Sequence, residues 1–480
     1  MDAATQVILK EKCYLSLNAG IKRLCEIETW PRPRAARRLR VGHDFYRNQM
    51  EGIPEVDDFI EQLSSEAEIR SNYFMNPNEP ENWRLYGFWE LLLLRCLPET
   101  DGTILRKEVF RKWFDIFIRE LFESQATWRT IQYISGLTLN VNQFRLDECT
   151  VLMRCPRFGF LQRLWGRQVF IEEGRFEPEG LGATGGDKAI VVITVRLPKK
   201  DFSFSNRPPP HLTKDLERSA ALIDAIRLTE TGTPRLHCYA QVHLSRFPLD
   251  EPLAFTHENG ITTLYETEAV INRKSIPQIK RVWKNLMDTK YAEPWPSLNK
   301  PTKLDVALSG LSRSYELRSW LDNIVDLTVA LESLFGPRDD RELSHRISIR
   351  AAWLLSSFLR KSEGKLENKI YKLVRTMYEI RSNRVHGDIP SDSNIRKWIQ
   401  ILSGVEYETY DKAAERKLLT QSLESSRTIV RTAIRACMEL QKLTGKDGPQ
   451  WPLPRDFDQN ILIPGQQRVW QKAAKVTPLS

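Results

Sequence analysis

The sequence predicts an α+β multidomain protein: an N-terminal helical and then β-rich, sandwich-like region, followed by a C-terminal all-α helical bundle. Three observations carry this expectation. The chain has 480 residues, more than one core usually organises, which favours two or three domains of about 100–200 residues each. Apolar residues make up 41% and charged residues 28%, enough aliphatic and aromatic content to bury cores and too much for a disordered chain. The hydrophobic pattern also changes period twice: from helical to alternating near Thr130, then back to helical after the proline-punctuated stretch Pro294 to Pro301.

Residues 1–129 read as mainly helical, with strongly apolar helical faces at Phe88 to Leu94 and Val109 to Phe122. Upstream, Arg32 to Arg40 carries five arginines in nine positions. A solvated basic segment is the ordinary reading of such a run, and contact with an RNA backbone is the alternative. Met1 to Lys12 lacks the basic stretch, apolar core and cleavage site of a secretory signal, so a cytoplasmic location is expected. No membrane partner is expected either. The longest apolar stretches, such as Leu91 to Leu94 and Ala189 to Val195, fall far short of the roughly 18 residues a span requires. Seven scattered cysteines (Cys13, Cys25, Cys96, Cys149, Cys155, Cys238, Cys437) form no Cys-x-x-Cys pair and read as buried free thiols.

Residues 130–293 read as a β-rich domain with an inserted helix. Alternating or β-branched runs occur at Ile131 to Val141, Glu148 to Arg154, Ala189 to Leu197, Arg235 to Leu244 and Thr262 to Asn272. Gly- and Pro-bearing turns separate them, which favours a sandwich-like or mixed sheet. Leu212 to Leu228 instead spaces its apolar residues as a helix does, at Leu216, Ala220, Leu222, Ile223 and Ile226. The preceding Asn206 to His211, with three prolines, cannot join a sheet interior because proline has no donor for the ladder.

Residues 303–445 read as the bundle, in four amphipathic segments. Arg313 to Phe335 carries the stripe Leu317, Leu321, Ile324, Thr328, Leu331, Phe335, and Gly336-Pro337 stops it. Arg341 to Leu359 places Leu343, Ile347, Ala351, Leu354 and Phe358 on one face; Lys365 to His386 places Leu366, Ile370, Leu373, Val374 and Met377. Glu415 to Thr444 carries Leu419, Leu423, Val430, Ala433, Cys437 and Leu440. One-sided helices of this kind bury their stripes against each other. Residues 446–480 read as an irregular tail, with Trp451 and Trp470 as docking anchors.

Two motifs fail on context. Gly180-Leu-Gly-Ala-Thr-Gly185 has the spacing of a dinucleotide-binding loop but leads into a strand, Ile190 to Val195, where the pyrophosphate needs a helix N-terminus. It reads as a turn. His237, Cys238 and His243 lie on a predicted strand, where the two histidines stand roughly 20 Å apart, too far for one metal. No cofactor and no metal are expected.

The third bundle segment departs from its own pattern. The stripe Ile370, Val374, Met377 continues four residues on at Arg381, where a core position calls for leucine. A guanidinium there is costly unless it is paired or lines a cleft. His386 follows five residues later, directly before Gly387, with Asn383 and Arg384 between. Five helical residues turn through about 500°, so Arg381 and His386 point about 140° apart on an intact helix. They can meet if the helix breaks at Gly387, or across a two-fold axis with a second chain. Arginine beside imidazole suits RNA cleavage: cations hold and neutralise the scissile phosphate while imidazole moves a proton. The bland alternative is an arginine paired with a neighbouring acid, Glu332 or Glu379, and a histidine that interacts with the last helix carbonyls.

Three segments together, Val329 to Phe335, Leu343 to Leu355 and Tyr378-Glu-Ile-Arg-Ser-Asn-Arg-Val-His-Gly387, resemble the HEPN superfamily, in particular its Apea-like branch. The resemblance covers residues 305–445 and extends loosely to Ala221 to Thr229. It implies an all-helical bundle that pairs with a second copy so that two Arg-x4-6-His motifs face each other. It implies a metal-independent endoribonuclease acting on RNA in stress or phage defence, with residues 1–300 sensing a phage- or stress-derived trigger. Carried onto this chain, Arg381 and His386 are the catalytic pair, and Asn383 and Arg384 contact substrate. Ser382 stands where active members often have Asn, Asp or His, and Asp388 stands where two-gene toxins often have Tyr. The alternative is a non-catalytic RNA- or nucleotide-binding module that dimerises or docks a partner.

Charge is distributed in keeping with an RNA-facing bundle. The formal net charge is +9; residues 301–480 hold 29 Lys and Arg against 22 Asp and Glu, while residues 1–300 hold 42 against 40.

Overall fold

The structure, a computed structural model, describes residues 3–26, 50, 52–73, 82–96, 105–155, 188–199, 210–243, 253–256, 268–290, 302–315, 319–336, 343–359, 366–406, 412–443 and 465. The Arg32 to Arg40 run, the Gly180 to Gly185 turn, Pro294 to Pro301 and the tail anchors Trp451 and Trp470 lie outside these residues. The chain divides into two compact units. The first comprises Met1–Tyr133, Asp147–Asp215 and Cys238–Thr256; the second comprises Ile134–Leu146, Leu216–His237 and His257–Ser480.

Among the described residues the first unit opens with five helices, α1 (Ala3–Glu26), α2 (Pro54–Ser65), α3 (Ala67–Tyr73), α4 (Asn82–Cys96) and α5 (Lys107–Phe122). Their apolar stripes close one core: Leu9, Cys13, Leu17 and Ile21 recur every four residues on α1 and pack with Phe59 and Leu63, Trp89 and Leu92, Phe114 and Phe117. The Trp89 indole, buried among them, donates to Ser16 Oγ at 2.9 Å, so its one polar atom is satisfied. Cys13 and Cys96 are free thiols in this core, and burial raises the Cys13 pKa well above its ordinary value, with Cys96 adding to it.

The strands are β1 (Gln125–Leu139), β2 (Gln143–Arg145), β3 (Thr150–Cys155), β4 (Lys188–Pro198), β5 (Arg235–His243), β6 (Leu253–Thr256) and β7 (Ala269–Ile271). They join one sheet in the order β2-β3-β4-β1-β5-β6, with β7 beside β1. β3 and β4 pair antiparallel, as do β5 and β6, while β7 runs parallel to β1 through Leu137↔Ala269 to Leu139↔Ile271. Of the sandwich-like and mixed arrangements that the alternating runs allow, the described residues form one mixed sheet. Its basis is the 15-residue β1, long enough to pair with β4, β5 and β7, and one helix also contributes a side chain to it. That helix, α6 (Pro210–Thr229), brings Asp215 to the sheet, where it accepts a 2.7 Å hydrogen bond from Thr130 on β1.

The second unit contains α7 (Ile276–Thr289) and the bundle: α8 (Lys303–Arg313), α9 (Trp320–Phe335), α10 (Leu343–Leu359), α11 (Leu366–His386), α12 (Asp392–Ser403) and α13 (Lys412–Leu443). Six helices stand where the apolar pattern suggested four. Within the expected segment Arg313 to Phe335 the described helix begins only at Trp320, because Ser319 caps its start by accepting from the Asp322 N–H at 3.2 Å, and α8 has already ended at Arg313. α8 is likewise framed by a reciprocal box between Thr302 and Asp305. α12 escaped notice because it is short and only Trp398, Ile399, Leu402 and Ser403 are buried.

α9 is the centre of the bundle, touching α8, α10, α11 and α13. It is buried through most of its length, including Ile324, Leu327, Leu331, Leu334 and Phe335. Among the hydrogen bonds that tie it to its neighbours are Trp320 Nε1 to Ser422 Oγ at 2.8 Å and Thr328 Oγ1 to the Met377 carbonyl at 3.1 Å. Its C-terminal carbonyls are met by a buried cation, with Arg350 donating to the Phe335 oxygen at 2.6 Å. Gly310 lets α8 approach α9, since a Cβ there would lie 2.6 Å from the Asp326 carbonyl oxygen. No helix of the described residues is long and apolar enough to cross a membrane.

Candidate functional site

α11 carries all four residues expected at the site. Its apolar positions Ile370, Leu373, Val374, Met377 and Ile380 are buried, which fixes the rotation of the helix about its axis. The helix runs unbroken to His386 and ends on a left-handed Gly387 with φ of 76°. Asp388 N–H then donates to the Asn383 carbonyl at 3.0 Å and Gly387 N–H to the Arg384 carbonyl at 3.4 Å, the paired pattern that closes a helix C-terminus. Because the helix is intact through His386, its break does not re-aim the imidazole toward Arg381. Within one chain the two side chains leave the helix on different sides.

Arg381 points to α9. Its Nε lies 3.1 Å from Glu332 Oε1, and its Nη2 donates to Glu332 Oε2 at 3.4 Å; only the second contact is aligned as a hydrogen bond. The guanidinium also sits 5.7 Å from the centre of the Tyr378 ring. The pair is mostly shielded, with side-chain exposures of 27% for Arg381 and 17% for Glu332. Burial pushes the Glu332 carboxyl up, and the Arg381 charge pulls it partly back. Of the two acids expected as alternatives, Glu332 and Glu379, it is Glu332 that pairs with Arg381. Glu332 engages one edge of the guanidinium, and Nη1 makes no hydrogen bond among the described residues.

Arg384 reaches the other end of α9, where its Nε donates to Asp322 Oδ1 at 3.0 Å. Asn383 turns back on its own helix and donates to the Glu379 carbonyl at 2.8 Å. His386 is exposed and makes no hydrogen bond or ion pair among the described residues. Beside it, Val385 is exposed and Ile389 is 95% exposed. One chain thus brings Arg381 and Arg384 to the acids of α9 and leaves His386 exposed at the helix end. Among the described residues no group of three His, Cys, Asp or Glu could hold a metal. β5 carries His237, Cys238 and His243 as a strand, as expected.

A second arginine cluster was not anticipated. Arg427, Arg431 and Arg435 recur every four residues on α13 and are all buried. Arg427 lies 4.1 Å over the Tyr315 ring and pairs with Glu424 at 2.6 Å; Arg431 pairs with Glu424 at 3.2 Å and donates to the Glu230 carbonyl at 2.7 Å. Burial lowers the Arg435 pKa to about 10, with Glu439 opposing and Arg281 and Arg431 adding. Their four-residue spacing inside an apolar helix is the signal that could have revealed them. Their burial makes them a structural network and removes them from contact with a macromolecular substrate.

No family model matches the sequence, and no significant match is found among curated proteins or solved structures.

Proposed function

We propose that the C-terminal bundle is an endoribonuclease of the HEPN type that acts as a pair of chains. The observation that supports this most is the end of α11. There an exposed imidazole follows two arginines, at five and two residues' distance, that are held in fixed positions by carboxylates of α9, with Val385 and Ile389 exposed beside it. Covering Val385 and Ile389 with a second copy removes apolar surface from water, and it lets the Arg381 of one chain face the His386 of the other, which the intact helix prevents within one chain. In this reading Arg381 binds and orients phosphate through its Nη1 edge, while Glu332 holds the other edge. Arg384 and Asn383 flank the strand. His386 takes the 2′-hydroxyl proton or delivers one to the leaving 5′-oxygen. The reaction needs no metal in the form the HEPN resemblance implies, and residues 1–300 regulate it in response to a phage- or stress-derived trigger.

A second reading, a non-catalytic RNA- or nucleotide-binding module, is favoured by one observation: Glu332 already neutralises Arg381. Incubating the full chain with RNA in EDTA separates them. The nuclease reading expects fragments with 2′,3′-cyclic phosphate ends whose yield rises steeply with protein concentration and vanishes in His386→Ala. The binding-module reading expects a complex and intact RNA.

A further inference from the structure

A polar cluster outside the four residues above lies on the same helix. His345 of α10 places Nδ1 3.1 Å from the Tyr371 hydroxyl oxygen, and Arg375 Nη1 donates to that same oxygen at 3.1 Å. The His345 and Tyr371 rings meet edge to face at 6.0 Å. The Arg375 bond occupies a lone pair of the phenol, whose O–H is then free to donate to Nδ1 of a neutral imidazole. That leaves Nε2–H as the remaining ring donor. Three side chains that would otherwise wander are thus braced against each other at an exposed surface: His345 and Arg375 are exposed and Tyr371 is half-buried. Arg375 makes no ion pair among the described residues.

Their placement is informative. Arg375 precedes His386 by eleven residues, which is about 1100° of helix, so the two lie within about 20° of one face and about 16 Å apart along the axis. Exposed Lys372 falls on the same stripe, about 40° from His386. One carboxylate, the exposed Glu379, lies between them. A stripe with two cations, a braced phenol and imidazole, and a further imidazole at its end matches a single-stranded polyanion better than a small anion. Phosphates are held by guanidinium and ammonium groups, and unstacked bases rest on aromatic rings.

We propose that the His345–Tyr371–Arg375 cluster is an RNA backbone subsite that holds the strand a few nucleotides from His386. Arg375 takes a phosphate, Tyr371 and His345 orient it, and Lys372 adds charge. This rests on the reading of the bundle as acting on RNA.

The test is fluorescence anisotropy of the full chain with a labelled single-stranded RNA, in EDTA, across a salt series, alongside cleavage of the same RNA. Arg375→Ala should weaken binding about ten-fold and lower the slope of log affinity against log salt by about one. Tyr371→Phe, which keeps the ring and removes the bridging oxygen, should weaken binding less. Glu379→Gln should strengthen it. Melting temperatures should stay at the wild-type value, because the three side chains are exposed or half-buried and braced only to each other. If wild type binds and cuts RNA in a His386-dependent way while Arg375→Ala and Tyr371→Phe bind with unchanged affinity and salt slope, the subsite is wrong and the nuclease reading stands. If wild type neither binds nor cuts RNA, both are wrong.

Discussion

Replacing Arg381 with alanine tests how far this residue is a structural group, and pH makes the test specific. In an effective dielectric near 20, charges about 4 Å apart interact by about 4 kcal/mol. The residual exposures of 27% and 17% and the cost of desolvating both groups bring the net value of the Arg381–Glu332 pair to about 1–2 kcal/mol. Burial raises the Glu332 pKa above 4.5, so the folded chain keeps this proton at pH values where the unfolded chain has lost it. Glu332 therefore favours the folded state fully below about pH 4.5, and that contribution falls as pH rises through the raised pKa. Without Arg381 the folded pKa climbs further and the loss deepens. Arg381→Ala should accordingly cost little near pH 4 and about 1–2 kcal/mol at pH 7, a fall in Tm of about 2–8 °C for a unit of 150–250 residues. Glu332→Gln in the same chain should recover most of it. Thermal unfolding followed by circular dichroism at pH 4, 5.5 and 7 measures this. A penalty independent of pH, or one that Glu332→Gln leaves in place, refutes the reasoning.

Three further outcomes follow from particular atoms. Gly387→Ala meets no neighbouring atom but must hold φ of 76°, so it should cost about 1 kcal/mol and loosen the end of α11, read as faster amide exchange at position 387 and at Asp388. Gly310→Ala drives a Cβ against the Asp326 carbonyl at 2.6 Å and should destabilise the second unit by about 1–3 kcal/mol, measured by urea unfolding. Lys199, whose ammonium reaches the Glu120 and Leu121 carbonyls at the end of α5, has its pKa lowered to about 8, chiefly by burial. The folded first unit then binds fewer protons than the unfolded chain between about pH 8 and 10.5, so its stability should rise with pH across that window, and Lys199→Met should flatten the rise.

Elements with clean periodicity were legible in the amino-acid order. α6, α10 and α11 end within two residues of where their apolar spacing places them, and β1, β3, β4 and β5 lie on runs of β-branched residues. The start of α9 at Trp320 was readable in Ser319 and Asp322, a capping signal three residues apart, but the apolar stripe begins upstream of it at Leu317. The choice between a sandwich and a single mixed sheet was not readable, because it depends on contacts between distant segments such as Thr130 and Asp215. At the candidate site the ambiguity was in the side chains. A guanidinium at a core position demands a partner, which named Glu332, yet periodicity alone cannot say that Arg384 reaches Asp322 while Asn383 folds back on Glu379. The His345 and Tyr371 pairing was hidden for the same reason: it joins two helices whose relative rotation is set only by packing.

The central claim is that His386 moves a proton during RNA cleavage. A single-turnover cleavage rate in EDTA, wild type against His386→Ala at equal RNA occupancy, tests it most directly. Loss of general acid–base catalysis should slow the reaction by about 100-fold or more while RNA affinity changes little. Equal rates in the two proteins, or no cleavage by wild type, would contradict the claim.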